Sequence, residues 1–333
     1  QRLREIGLEP DMLVCRTESN HHLNKKLKSK LGLFCNIITN HVFESPDVKS
    51  IYEIPLVLHK QGFDIAVVNR LGLSTNGGHT NINHLEKFIN TFKNPETEVT
   101  IAMCGKYNSL HDAYKSIIEA FIHAGVANNT EVNIKWVDTE ELENTSDISS
   151  YFQSIDGILI PGGFGDRGIE GKILSSKYAR ENNIPYLGIC LGMQCAIIDF
   201  ARNICNLKNA NSSEFKSKLK YPVIDLMHGQ KNITRKGATM RLGAYSCDVK
   251  RGTNAYRAYG IKKINERHRH RFEVNNDFRE KLLDSGLIIS GLNKDLDLVE
   301  MIEVKKHPWF VGVQFHPELK SSVVDVHPLF RDF

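Results

Sequence analysis

An α/β fold, with a mostly parallel central sheet flanked by helices and extended by antiparallel strands, is predicted by three features of the sequence. From Val99 onward, short apolar runs alternate with stretches of helical periodicity, the pattern of strand–helix–strand units joined by right-handed crossovers. Several of those runs are apolar throughout, as strands covered on both faces must be. Beyond about residue 220 the runs follow one another at short spacing, which suits antiparallel additions.

Taken in order, residues 1–73 carry strand-like runs at Met12 to Cys15 and Leu33 to Ile37 and a helical stretch from Val48 to Gln61, a small α/β piece that reads as incomplete by itself. The chain opens Gln1-Arg2-Leu3-Arg4-Glu5 with no initiator Met, so a piece of something longer is expected. Residues 74–97, from Ser74-Thr75-Asn76-Gly77-Gly78 to Lys93-Asn94-Pro95-Glu96-Thr97, are polar and turn-rich; they predict a linker with a short helix around Leu85 to Phe92. Residues 98–333 form the main domain. Val99 to Met103 is its first strand. A helix from about Asp112 to His123 follows, with Ser109 and Asp112 as a capping box and Gly125 as its stop. Val132, Ile134 and Trp136 alternate as a second strand, Gly157 to Ile160 is a third, and Ile184 to Ile189 a fourth. Ala196, Ile197, Phe200, Ala201 and Ile204 then recur at helical spacing, with Cys195 and Cys205 as packing residues. Asn206 to Lys220, rich in Ser, Asn and Lys, predicts a surface loop. Gly286 to Leu292, Leu298 to Val304 and Phe310 to Phe315 are the antiparallel additions.

The bulk numbers exclude several classes. With 333 residues, 41% hydrophobic and 25% charged, the composition is that of a globular protein with a sizeable core. A net charge of +4, thinly spread, does not argue for nucleic acid. No apolar run approaches the ~18 residues needed to cross a bilayer. Seven cysteines with no CxxC pair point to free thiols in a reducing, cytoplasmic setting.

The most informative motif is Gly188-Ile189-Cys190-Leu191-Gly192. Gly-x-Cys-x-Gly between an apolar run and a helical pattern is a nucleophile elbow with sulfur as the attacking atom; the glycines allow the sharp turn that exposes the side chain at the strand's carboxyl end. Cys190 would sit at a helix N-terminus, where the dipole and unsatisfied N–H groups favour thiolate. A thiolate still needs a proton shuttle. Gln314-Phe315-His316-Pro317-Glu318 supplies a base, His316, and an orienting carboxylate, Glu318. The plain alternatives are a buried structural cysteine and a simple turn.

Pro161-Gly162-Gly163-Phe164-Gly165 follows a strand as a phosphate loop would, but it lacks the Lys-Ser/Thr pair and the dinucleotide spacing. An oxyanion hole fits better, with the N–H groups of Gly163 and of Leu191 as donors. In Arg267-His268-Arg269-His270-Arg271 no carboxylate or cysteine completes a metal-ligand set, and the run is too short for a phosphate stripe. Its alternation suggests a strand with one face turned to an anionic group, or else a solvated face. Glu214, in Asn209 to Phe215, reads by itself only as part of a polar loop.

Together, the segments at 161–165, 188–194 and 314–318 resemble the triad-type class I glutamine amidotransferases. Gly105-Lys106-Tyr107, Asp112 to Ser116, Asn209 to Phe215, Thr239 to Gly243 and Glu266 to Asn275 are similar to the CTP synthase family within them. Lys30 to Asn36 and Asp47 to Tyr52 resemble the end of that family's amidoligase (synthetase) domain, so the resemblance covers essentially the whole chain. It implies a class I glutamine amidotransferase-like fold over 98–333, a linker over 74–97 and the end of the amidoligase domain over 1–73. Cys190 would form a glutamyl thioester with His316 and Glu318 completing the triad. Gly163, Leu191, Gly192, Met193, Gln194, Glu214 and Arg271 would hold glutamine, Glu214 facing its ammonium and Arg271 its carboxylate. Arg167 would touch the activator GTP. Lys30 would face the pyrimidine nucleotide, and Asp47, Val48 and Lys49 the ATP site.

The same resemblance implies ATP-dependent amination of UTP to CTP with Mg2+, no covalently bound cofactor, a homotetramer, small-molecule substrates and no nucleic-acid or membrane partner. The family's phosphate loop and magnesium-binding carboxylates are not among these residues, so glutamine hydrolysis alone is expected of this chain. Lys236-Gly237-Ala238-Thr239 departs from the family pattern, which has a second glycine there. Three other readings stay open: an amidotransferase serving another acceptor, a cysteine peptidase, and a folded but catalytically near-silent module.

Overall fold

The computed structural model describes residues 2–18, 20–74, 82–106, 111–226 and 240–333, in two compact units, Gln1–Asn94 and Pro95–Phe333. Tyr107, Ser109 and Lys236 to Thr239, singled out above, lie outside the described residues.

The first unit pairs β1 (Leu13–Thr17) with β2 (Val42–Pro46) in parallel, with α1 (Lys25–Cys35) between them. The strand expected over Leu33 to Ile37 is the end of α1 instead. Asn24 caps that helix, its side chain accepting from the Leu27 N–H at 2.9 Å, and Asn36 ends it in the left-handed conformation at φ 56°. The apolar Leu31, Leu33 and Phe34 therefore belong to a helix whose boundaries its two asparagines set. The helical stretch expected over Val48 to Gln61 begins with a capping box, Ser50 with Glu53, and continues as α2 (Ile54–Lys60), then α3 (Phe63–Arg70). The helix expected in the linker is α4 (Asn83–Lys93). Its Phe88 packs edge-on against Tyr52 at 5.0 Å, and Lys93 pairs with Glu53 at 2.5 Å, so it packs within the first unit.

The second unit is built on a nine-stranded sheet. Its strands are β3 (Thr97–Gly105), β4 (Thr130–Asp138), β5 (Gly157–Ile160), β6 (Tyr186–Ile189), then, beyond a small three-stranded sheet containing β7 (Asn211–Ser212) and β8 (Pro222–Leu226), β9 (Arg241–Val249), β10 (Lys263–His270), β12 (Leu287–Asn293), β13 (Leu298–Val304) and β14 (Phe310–Val313); β11 (Phe272–Val274) completes the small sheet. The order is β10-β9-β12-β13-β14-β6-β5-β3-β4. From β14 to β4 every pairing is parallel, and from β14 back to β10 every pairing is antiparallel. All residues of β5, β6 and β14 are buried, which is why they read as unbroken apolar runs.

Three expectations are corrected here. β14 is antiparallel to β13 but parallel to β6, so it closes the parallel core rather than merely extending the sheet. The helix α5 (Lys115–Ala127) runs through Gly125. A Cβ at Gly125 would stand 2.5 Å from the Thr130 carbonyl oxygen, so the glycine serves a close approach and not a stop. The segment Asn206 to Lys220 is not wholly surface: Ala210 and Ser212 are fully buried around β7. Helices α6 (Ile169–Asn182) and α7 (Leu191–Asn203) pack together over β5 and β6, with eleven residues of α7 buried from Leu191 to Ala201.

Candidate active site

The parallel register explains how distant residues meet. Ile160 at the end of β5 pairs with Gly188, and Val313 at the end of β14 pairs with Ile189. The loops leaving three adjacent strands, 161–165, 190–192 and 314–318, therefore emerge side by side at the carboxyl edge, where open α/β sheets place their sites.

Cys190 is the turn between β6 and α7. It holds φ 51° and ψ −99°, a strained conformation for a residue with a side chain. Two hydrogen bonds fix it: its N–H donates to the Val313 carbonyl at 2.6 Å, and its carbonyl accepts from the Gln194 N–H at 3.2 Å. The flanking glycines are required by close approach. A Cβ at Gly192 would sit 2.3 Å from the Ile160 carbonyl oxygen, and one at Gly188 2.7 Å from the Tyr186 hydroxyl. Leu191 opens α7, so its N–H is one of those that a helix leaves without an intrahelical acceptor. Gly163 lies close by, its Cβ position 3.4 Å from Leu191 Cδ2.

His316 hangs from the end of β14 and is anchored by its own N–H donating to the Arg267 carbonyl at 2.8 Å. Its Nδ1 is 2.8 Å from Glu318 Oε1, and Glu318 sits in the short helical turn Pro317–Leu319. Nε2 is buried and, among the described residues, makes no hydrogen bond of ordinary geometry. Burial alone would lower the imidazole's proton affinity. The Cys190 sulfur and the Glu318 carboxylate outweigh it and carry the pKa up to about 10. Sulfur, imidazole and carboxylate thus act on one another electrostatically, as a thiolate nucleophile with an oriented proton carrier requires.

A cavity of about 280 Å³ opens over Cys190, at the small end of ligand pockets and of amino-acid scale. Gly163, Gln194, Glu214 and Arg271 line it, as do Met240 and Phe272, which belong to two of the segments that carry the resemblance but were not expected as site residues. Burial raises the Glu214 carboxyl's pKa, and the Gly165 N–H, Arg271 and Lys106 offset this only in part. A ligand ammonium beside Glu214 would therefore be favoured. Lys106 donates to the Phe164 carbonyl, and Arg269 stands 6.0 Å from the Phe164 ring centre. Gly192 and Met193 are buried in the first turn of α7.

Within the second unit, Arg167 is not among the residues that line this cavity. Arg167 is exposed and paired with Glu140 at 3.5 Å. In the first unit Lys30 is an exposed residue of α1, Asp47 pairs with Arg16 at 3.2 Å, Val48 is half-buried and Lys49 exposed. The alternating histidines of β10 do face anions, but these are the protein's own: His268 Nε2 is 2.6 Å from Glu300, and His270 Nε2 2.7 Å from Glu273, with all four side chains buried.

Gly162 offers a sharp check. A Cβ there would stand 2.7 Å from His316 Cε1 and 3.5 Å from Cys190 Cβ. Gly162→Ala is expected to displace the ring and lower turnover at this site about 100-fold, because misplacement of about 1 Å suffices for that. Steady-state rates beside a melting curve separate this from unfolding.

Two family models match the chain: "Glutamine amidotransferase class-I" over residues 109–333 and "CTP synthase N-terminus" over residues 1–73. A CTP synthase of Caldanaerobacter subterraneus is 54% identical over 333 residues, covering 100% of this chain and 61% of its own length. One from Clostridium acetobutylicum is 52% identical with the same coverage. The chain thus spans about three fifths of the length of the curated relatives it matches. Among solved structures, the glutaminase domain of Trypanosoma brucei CTPS with bound acivicin is similar, with a TM-score of 0.66 and 38% identity over 70% of this chain and 91% of that one.

Proposed function

The chain belongs to the CTP synthase family, and from that premise we propose that its second unit releases ammonia from L-glutamine through a glutamyl thioester on Cys190. One observation supports this most: the cavity over Cys190 is flanked by Glu214 and Arg271, opposite charges suited to the ammonium and carboxylate of a free amino acid. A peptidase has no use for such a clamp.

The steps follow from the chemistry of the groups. The Cys190 thiolate attacks the side-chain carbonyl carbon of glutamine, and the N–H groups of Gly163 and Leu191 hold the developing oxyanion. His316, protonated and oriented by Glu318, gives its proton to the departing nitrogen, so ammonia leaves and a thioester remains. His316 then takes a proton from water, the hydroxyl attacks the thioester, and glutamate leaves as thiolate and imidazolium are restored. Gln194 lines the wall beside the substrate's side chain, with Gly192 and Met193 buried behind it in the first turn of α7.

In the complete protein the ammonia would serve ATP-dependent amination of UTP to CTP in a cytoplasmic homotetramer. Residues 1–73 would then be the end of the amidoligase domain, 74–97 a linker, and 98–333 the amidotransferase domain. Lys30 and Asp47 to Lys49 would face the nucleotides, and Arg167 the activator GTP.

Ammonia release from glutamine, measured with and without GTP, tests the proposal; no release in either condition would sink it. Glu214→Gln and Arg271→Met are each expected to raise the KM for glutamine about 10- to 100-fold with a smaller change in kcat, as loss of a charged hydrogen-bond partner implies. Acivicin should occupy the same cavity and shield Cys190 from alkylation.

A further inference from the structure

The buried Gln314 has no part in the chemistry described so far. It is fully buried, between the end of β14 and His316. Its backbone N–H donates to the Glu300 carbonyl at 2.9 Å, which fixes its position on the sheet. Its side-chain Nε2 lies 3.6 Å from Cys190 Sγ, and its Oε1 accepts from Gln194 Nε2 at 3.3 Å. Gln194 in turn donates to the Phe272 carbonyl at 3.0 Å and is also buried. This chain of contacts sets which way the Gln314 amide points. With Gln194 supplying a donor, the oxygen end must face Gln194 and the N–H end must face sulfur.

We propose that Gln314 is a further catalytic residue of this centre, whose side-chain amide donates a hydrogen bond to the Cys190 sulfur and favours the thiolate. The proposal rests on the reading of Cys190 as the nucleophile. A hydrogen bond to the charged form of an acid lowers its pKa, and a thiol sulfur is too weak an acceptor to gain as much. No water can replace this donor readily, since the Gln314 side chain is fully buried. The contact also persists through the cycle. His316 gives up its proton when ammonia leaves, whereas an amide N–H cannot. When the thioester breaks and the sulfur must leave as an anion, Gln314 is already in place to receive it.

The experiment is alkylation of Cys190 by iodoacetamide across pH, with the modified residue identified by peptide mass. Thiolate attack forms the S–C bond and expels iodide, so the rate follows the thiolate fraction. In Gln314→Met, which keeps the shape and removes the donor, the midpoint should move upward by about one pH unit, the size expected of one hydrogen bond to a charged group. In Gln314→Glu, nearly isosteric, the carboxylate repels the thiolate and the shift should be larger. A midpoint unchanged in either folded variant overturns the proposal while leaving Cys190 as nucleophile. An unsubstituted protein with no midpoint below the ordinary thiol value of about 8.5 removes the nucleophile reading and this inference together.

Discussion

Cys190→Ala is expected to release ammonia from glutamine at least ~10³-fold more slowly than the unsubstituted chain, with its melting temperature within a few degrees. The size follows from what the sulfur does. It splits one difficult displacement into two easier ones, and no neighbouring group can take over. Cys195, the nearest cysteine in sequence, is buried on α7, and burial pushes its thiol up to about 12, so it is not a thiolate at neutral pH. What remains in the variant is binding and the oxyanion donors. Those alone sustain some acceleration over water, so a small residual rate is expected. Glutamine should still bind, because Glu214 and Arg271 are untouched. The informative comparison is therefore kcat against KM. A fall in kcat at nearly constant KM fits loss of the nucleophile, and near-normal turnover would mean that water attacks glutamine directly.

Cys190, His316 and Glu318 stand out in the sequence as candidates because each has a local signature. A sharp turn between strand and helix demands glycine on both sides of Cys190, and His316 with Glu318 needs only two residues of spacing. Their meeting depends on β14 lying parallel to β6, and that pairing was misread. Phe310 to Phe315 follows two antiparallel strands at short spacing, and nothing local reports that it lies against β6 on its far side. The same limit hid Gln314: its identity is visible, but its partner Gln194 belongs to another element.

Periodicity also failed where caps decide. The helix over Lys25–Cys35 looked like a strand at its apolar end, although Asn24 and Asn36 mark its boundaries. Gly125 looked like punctuation because a sequence cannot show that the Thr130 carbonyl lies against it. The histidines of β10 do face anionic groups, as their alternation suggests. Their acceptors, Glu300 and Glu273, are brought to them by β13 and β11, and only the fold makes that known.

That buried cluster carries the second large effect, and Arg241→Met is expected to destabilise the protein by about 3–5 kcal/mol. Arg241 is 4% exposed. Its guanidinium donates to Glu273 at 2.9 Å and to Glu300 at 2.7 Å, and it covers the Tyr245 ring at 4.3 Å. Methionine fills much of the volume but leaves two buried carboxylates short of a cation, and that uncompensated charge is the main cost. Glu300→Gln in the same background should recover part of the loss, which simple packing damage would not allow.

Acid should expose the same cluster. Burial lowers the His270 pKa below its ordinary value of 6.5, against the pull of Glu273. Below that pH the unfolded chain binds a proton that the native form refuses, so stability falls. For Glu300, burial raises the pKa, but His268 and Arg241 outweigh it and hold it below the ordinary 4.5. Its contribution is therefore present above 4.5 and is lost as pH falls through the lower native value. In Arg241→Met the second part of that acid arm should shrink, since one of the cations that depress Glu300 is gone. Denaturant midpoints at a series of pH values from neutral down to acid measure both. A loss under about 1 kcal/mol at neutral pH, with an unchanged acid arm, would mean that the carboxylates reach water and that the cluster is not closed.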